Sequence, residues 1–258
     1  SQCLAASPAG RGPDATDQKT SLKQRQRLRA MASLDFDGDY GRHYDQRIRR
    51  LIPAYDAHLE LAAAALGALV PTAASALVVG PGAGEELPSL LKAMPGATLQ
   101  LVEPSEQMRG FCNAVIAEAQ AGERINGGPN ALEEVAGRFD AVICQNVLHL
   151  MPPAEQEPVL QQLCARVGPG GVLVISSFSE EKDADLELWQ AIARARFHAQ
   201  GLESDAIERV MASRNDGVFS LDPDRLATQL RLAQMEPPTP LLQALFNRLW
   251  FSRRPRGQ

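Results

Sequence analysis

The sequence predicts an α/β fold in which a mostly parallel sheet carries helices on both faces. Three observations predict it. Short apolar runs alternate with helix-like segments from residue 76 onward, and such alternation calls for parallel strands joined by right-handed crossovers. The first apolar run opens onto three glycines at alternate positions, Gly80, Gly82 and Gly84. The second run ends in a carboxylate, Glu103. Strand, glycine turn, helix, strand and acid in that order form half of a nucleotide-binding unit.

Residues 1–33 read as a flexible tail. Ser, Pro, Gly, Asp and Thr fill its first half, and Lys19, Lys23, Arg25, Arg27 and Arg29 gather in its second. From 36 to 70 the pattern is helical, with Arg47, Ile48, Leu51 and Ile52 recurring, a break at Pro53 and an Ala/Leu-rich helix over 55–69. The first strand is expected at 76–79 and its helix at 85–94, stopped by Pro95-Gly96, with Glu85 and Glu86 in the first turn. A second strand over 98–102 leads to a helix over 105–119 capped by Ser105, followed by a short strand near 124–126. The fourth strand spans 139–144 and its helix 154–167. Glycines 168, 170 and 171 turn that helix into a fifth strand over 172–176. Residues 179–216 form a polar helical insertion. A helix over 222–235 carries Pro223 in its first turn, and strands near 241–245 and 248–252 close the chain before a frayed basic end, RRPR.

Composition narrows the function classes. A chain of 258 residues with 45% hydrophobic and 22% charged residues is ordinary for one soluble globular domain with appendages. The net charge of −5 weighs against a nucleic-acid binder. Cys3, Cys112, Cys144 and Cys164 lack metal-ligand spacing and read as reduced cytosolic thiols. No uninterrupted run of 18 apolar residues and no signal pattern is present, so a cytoplasmic protein is expected.

The chemistry concentrates in 77–108. Glycines there let backbone approach a ligand closely, and a carboxylate about 20 residues on can grip a ribose diol. A dinucleotide is disfavoured, because its fingerprint needs a glycine at 85, where Glu85 would meet a pyrophosphate with like charge.

Four landmarks in order resemble the class I S-adenosylmethionine-dependent methyltransferases over roughly 36–253: GPGAG at 80–84, the acid in LVEPSEQM, the segment RFDAVICQNVLHLM, and VGPGGVLVIS at 167–176. The resemblance implies a seven-stranded Rossmann-like sheet ending in an antiparallel hairpin, with an N-terminal helical lid and an insertion after the fifth strand. It implies a single domain over 34–258: lid 34–70, cofactor-binding half 71–178, helical insertion over the acceptor pocket 179–216, and C-terminal helix and strands 217–258. The opening and the insertion are similar to small-molecule methyltransferases with such a lid and, more distantly, to the enzyme that carboxymethylates a wobble uridine in tRNA.

The cofactor implied is S-adenosyl-L-methionine. Gly80, Pro81, Gly82 and Gly84 would pass under its methionine part, and Glu103 would accept from both ribose hydroxyls. Pro104 and Met108 would lie near adenine and ribose, Asn130 and Ala131 in the adenine turn, Gln145 and Asn146 at the amino-acid end, and Tyr44 over the cofactor. His149 is the candidate base, with a packing histidine as its alternative. Trp189, Phe197, His198 and Arg214 are candidates for the acceptor pocket, or else members of helices packed on the core. Two positions depart from the family pattern. Val78 stands where an acid near the end of the first strand helps hold the cofactor's ammonium, and GGPNAL replaces the acid after the third strand. The readings are a small-molecule methyltransferase, a tRNA-modifying enzyme, a non-catalytic binding module and, against Glu85, a nicotinamide enzyme. A monomer or homodimer taking a small-molecule acceptor, without a metal and away from membranes, is expected.

Overall fold

The computed structural model describes residues 35–180 and 185–257. The expected tail and its basic run lie outside the described residues. Seven strands make one sheet: β1 (Ser75–Val79), β2 (Thr98–Val102), β3 (Ile125–Asn126), β4 (Phe139–Gln145), β5 (Val167–Phe178), β6 (Thr239–Ala244) and β7 (Asn247–Arg253). Their order is β3-β2-β1-β4-β5-β7-β6. The β1 to β5 neighbours pair in parallel, while β7 runs antiparallel to both β5 and β6. The predicted α/β class, strand number and final hairpin are all present. The strand order reverses between β1 and β4, and a crevice for ligands forms beyond the carboxyl ends of strands at such a point.

The central strands are apolar on both faces because both are covered. Val78, Leu99, Leu101 and Ile143 pack with helices α3 (Tyr55–Leu69) and α4 (Leu87–Ala93) on one face. Leu77, Val79, Val142 and Leu173 pack on the other with α6 (Pro153–Arg166) and α9 (Pro223–Leu232). The remaining helices are α1 (Asp39–Arg42), α2 (Tyr44–Leu51), α5 (Glu106–Glu118), α7 (Leu186–Ala199) and α8 (Ser204–Ala212). Ser105 caps α5 by accepting the Met108 N–H at 3.1 Å, as its sequence position predicts. Asp185 and Asp222 cap α7 and α9 in the same way.

Three expectations need correction. Glu85 and Glu86 precede α4 rather than opening it: the helix begins at Leu87, with Pro88 in its first turn where a missing N–H costs nothing. β5 starts at Val167, not 172. Its glycine stretch pairs with β4 through an irregular register between Phe139 and Ala141, and the Gly170 N–H donates to the Arg254 carbonyl. The basic end is not frayed at Arg254, whose guanidinium donates to the carbonyls of Cys164, Val167 and Ala233 at 2.9–3.0 Å. Those carbonyls lie at or near the ends of α6 and α9, which leave acceptors without helical partners. No helix of the described residues is long and apolar enough to cross a membrane.

Candidate active site

The glycine turn follows β1 with positive φ at Gly80 (+69°), Gly82 (+54°) and Gly84 (+82°). A side chain at Gly80 would place its Cβ 2.4 Å from Val147 Cγ2, and one at Gly84 would meet Cys112 Sγ at 3.0 Å. The turn is therefore closed down against the segment after β4 and against α5, and only glycine permits it.

Glu103, at the tip of β2, spans the same turn. Its Oε2 accepts the Gly82 N–H and its Oε1 accepts the Ser105 N–H, both at 2.9 Å. Burial raises its pKa, and the two backbone donors act against that. Each oxygen keeps a lone pair, which is the acceptor edge a ribose diol requires. Met108 is buried behind Gly82, and Pro104 lies exposed beside Glu103. Asn130 is exposed, and its backbone N–H donates to Glu134 Oε2 at 3.2 Å. Ala131 is half-buried next to Leu132, which joins the core.

The N-terminal segment is fastened over this edge. Asp37 accepts from the Ser105 hydroxyl at 2.6 Å and from the Gln107 N–H at 3.1 Å, while Gln107 Nε2 donates to the carbonyls of Phe36 and Gly38. The Ser105 hydroxyl is the main cause holding the Asp37 carboxyl below its ordinary range. Phe36 and Tyr44 stand with ring centroids 6.1 Å apart at the border of the large cavity described next. No sequence signal singled out Asp37.

At the tip of β4 the backbone turns sharply. Asn146 adopts φ +57°, a conformation asparagine tolerates better than most residues, and its N–H donates to the Ser176 carbonyl. Gln145 donates through Nε2 to the Glu86 carboxylate. Burial pushes the Glu86 carboxyl up to about 7, with the Gln145 donor acting in the opposite direction. Its neighbour Glu85 accepts from Arg49 of α2 at 2.7 Å, and the same guanidinium bonds Asp56.

Beyond these tips opens a cavity of about 830 Å³, within the range of small-molecule sites. Its walls come from α2, from Asn146, His149 and Leu150, from Phe178, from α7 and α8, and from the β6–β7 turn. Phe197 and Arg214 line it, and Arg214 is paired to Glu180. Arg47, Arg50 and Arg209 line it as well. Trp189 instead packs against Phe246 at 6.0 Å, and His198 is exposed, so neither is among the lining residues.

His149 sits in a 3₁₀ turn, Leu148–Leu150, with its ring buried. Its Nδ1 accepts the Phe178 N–H at 3.3 Å, so the ring proton of the neutral form resides on Nε2. Burial lowers its pKa to about 4. A ring held in this way offers an N–H and no free lone pair, which favours the packing alternative over the candidate base role. The thiols are poor nucleophile candidates too: burial pushes Cys112 and Cys164 up to about 11.

Glycine turn, strand-tip carboxylate and switch-point crevice on this strand order define a Rossmann-like nucleoside-cofactor site. Residues 77–173 match the methyltransferase domain family. No curated protein matches the sequence. Similar solved structures include an O-methyltransferase family protein from Burkholderia thailandensis, with TM-score 0.61 and 18% identity over 94% of this chain and 71% of that one. The 1,6-didemethyltoxoflavin N1-methyltransferase of the same organism, with its acceptor and S-adenosylhomocysteine bound, has TM-score 0.55 and 19% identity over 96% and 94%. The magnesium protoporphyrin IX methyltransferase of Synechocystis PCC 6803, also with S-adenosylhomocysteine, has TM-score 0.56 and 16% identity over 93% and 100%. Against two further similar structures the chain spans 56% of their length.

Proposed function

We propose that the chain transfers a methyl group from S-adenosylmethionine to a small-molecule acceptor held in the 830 Å³ cavity. The observation that carries this reading is the Glu103 carboxylate. It is braced by the Gly82 and Ser105 N–H groups with acceptor capacity to spare, at the switch point of the strand order, and Asn146 at the neighbouring strand tip lines the cavity. Gly80, Pro81, Gly82, Gly84, Met108, Gln145 and Asn146 would form the cofactor's bed, Pro104, Asn130 and Ala131 its adenine end, and Tyr44 its cover. The insertion and α2 would form the acceptor's walls.

When bound, the cofactor supplies a sulfonium methyl that is already activated for transfer. The chain's part is then alignment and exclusion of water rather than covalent chemistry. Ile48, Phe178, Phe197 and Phe246 give the cavity an apolar lining, and Arg47, Arg50 and Arg209 favour an acceptor bearing an acidic group. The His149 Nε2–H would donate to the acceptor and fix its orientation, and any proton lost by the acceptor would leave to solvent. Three of the similar proteins are named for small-molecule acceptors, a didemethyltoxoflavin, a mitomycin and a magnesium protoporphyrin, which supports this reading over a tRNA substrate.

The test is thermal unfolding with S-adenosylmethionine and S-adenosylhomocysteine. A shift that saturates with either supports the reading, and no shift at millimolar ligand overturns it.

A further inference from the structure

We propose that Glu86, with Gln145, is the subsite for the ammonium of the cofactor's amino-acid arm. The proposal rests on the cofactor reading above and assigns a residue that the sequence pattern placed elsewhere. Glu86 is 5% exposed and Gln145 is 6% exposed. Their one mutual bond runs from Gln145 Nε2 to the carboxylate. Gln145 Oε1 is shut off from solvent and has no hydrogen-bond partner among the described residues. Buried acceptors without donors are costly, and a buried carboxylate without a cation more so. Arg49 is taken up by Glu85 and Asp56. What this corner lacks is a compact cation with several N–H groups. In S-adenosylmethionine and its demethylated product, the α-ammonium is the one group with three N–H donors on a single atom.

The strand register explains why the group falls here. Val78 pairs with Ile143, and both belong to the core cluster that contains Leu87. Side chains alternate along a strand, so Gln145, two residues beyond Ile143, projects from that same face. Glu86, adjacent to Leu87, bonds Gln145 on that face. The carboxylate that Val78 does not supply from β1 is thus delivered to the same side of the sheet by the turn before α4. Burial raises that carboxyl to about 7, and a cation beside it would favour its charged form.

The test is calorimetric titration of the full chain with S-adenosylhomocysteine and with 5′-methylthioadenosine, which keeps the nucleoside and has no amino-acid arm. Glu86→Gln is expected to weaken S-adenosylhomocysteine about tenfold or more and to leave methylthioadenosine within about twofold. An equal change for both ligands, or none for either, overturns the proposal. A second comparison needs no variant: on the unaltered chain, the S-adenosylhomocysteine analogue carrying hydrogen in place of its amino group should bind about tenfold more weakly, and equal affinity overturns the proposal. An unaltered chain that binds neither nucleoside overturns the cofactor reading, and this inference with it.

Discussion

Glu103 and Gly82, 21 residues apart, are joined by a 2.9 Å hydrogen bond from backbone N–H to carboxylate. The bond fixes the tip of β2 against the glycine turn of β1, so the acid is part of the turn's construction as well as a ligand group. Glu103→Gln presents one NH₂ to a site furnished with two N–H donors. It is expected to weaken every adenosine ligand, methylthioadenosine included, by roughly tenfold to a hundredfold. Calorimetry on the same two ligands separates this pattern from that of Glu86→Gln, and a loss confined to S-adenosylhomocysteine would contradict the ribose role.

Gly80→Ala should be strongly destabilising. Its new Cβ would lie 2.4 Å from Val147 Cγ2, at a φ of +69°. The left-handed backbone and the clash together are worth about 2–4 kcal/mol. Urea unfolding measures the loss. Adding Val147→Ala should restore the steric part and leave the conformational part.

The pH dependence of stability should change in slope when Glu86 is replaced. Burial holds His58 and His149 down at about 4 from an ordinary 6.5, so the stability they contribute is present above 6.5 and is lost as pH falls toward 4. Glu86 runs the other way. Raised from 4.5 to about 7, it contributes stability below 4.5 that is lost as pH rises through 7. In the unaltered chain the two trends partly cancel. Glu86→Gln removes the opposing one, so the drop in stability from pH 7.5 to pH 5 should grow by on the order of 2 kcal/mol. Denaturant unfolding at both pH values checks this, and identical drops would refute it.

Arg196 of α7 donates to the carbonyls of Arg50 (2.6 Å) and Arg49 (3.2 Å), at the C-terminal end of α2. One guanidinium therefore satisfies two helix-end acceptors and joins the two walls of the cavity. Arg196→Ala is expected to speed amide hydrogen exchange in α2 and raise the acceptor KM, with affinity for S-adenosylhomocysteine unchanged. Unaltered exchange in α2 would show that this tie does not hold the wall.

Much of this architecture was legible because it repeats along the chain. The helix over 55–69 and the strand over 98–102 match to the residue, since each is a continuous periodic run between breakers. The glycine turn and the strand-tip acid were legible because their spacing is local. What failed depends on partners distant in sequence. Arg254 looked like a loose basic end until its carbonyl partners, as many as 90 residues away, came together in space. Glu86 read as a first-turn helix acid because two adjacent glutamates after a glycine suit a helix start. Pro88 displaces that start and lets the side chain turn inward. His149 was picked by its place after β4, but the direction of its Nδ1 is set by Phe178, 29 residues on.

Within the methyltransferase segment 77–173, the large cavity takes lining from Asn146, His149 and Leu150, and everything else that borders it comes from outside that segment. The machinery that would grip the nucleoside and the walls that would choose the acceptor are thus separately encoded modules. Exchanging α7 and α8 for those of another protein of this fold should retune which molecule is methylated while the nucleoside grip is inherited intact.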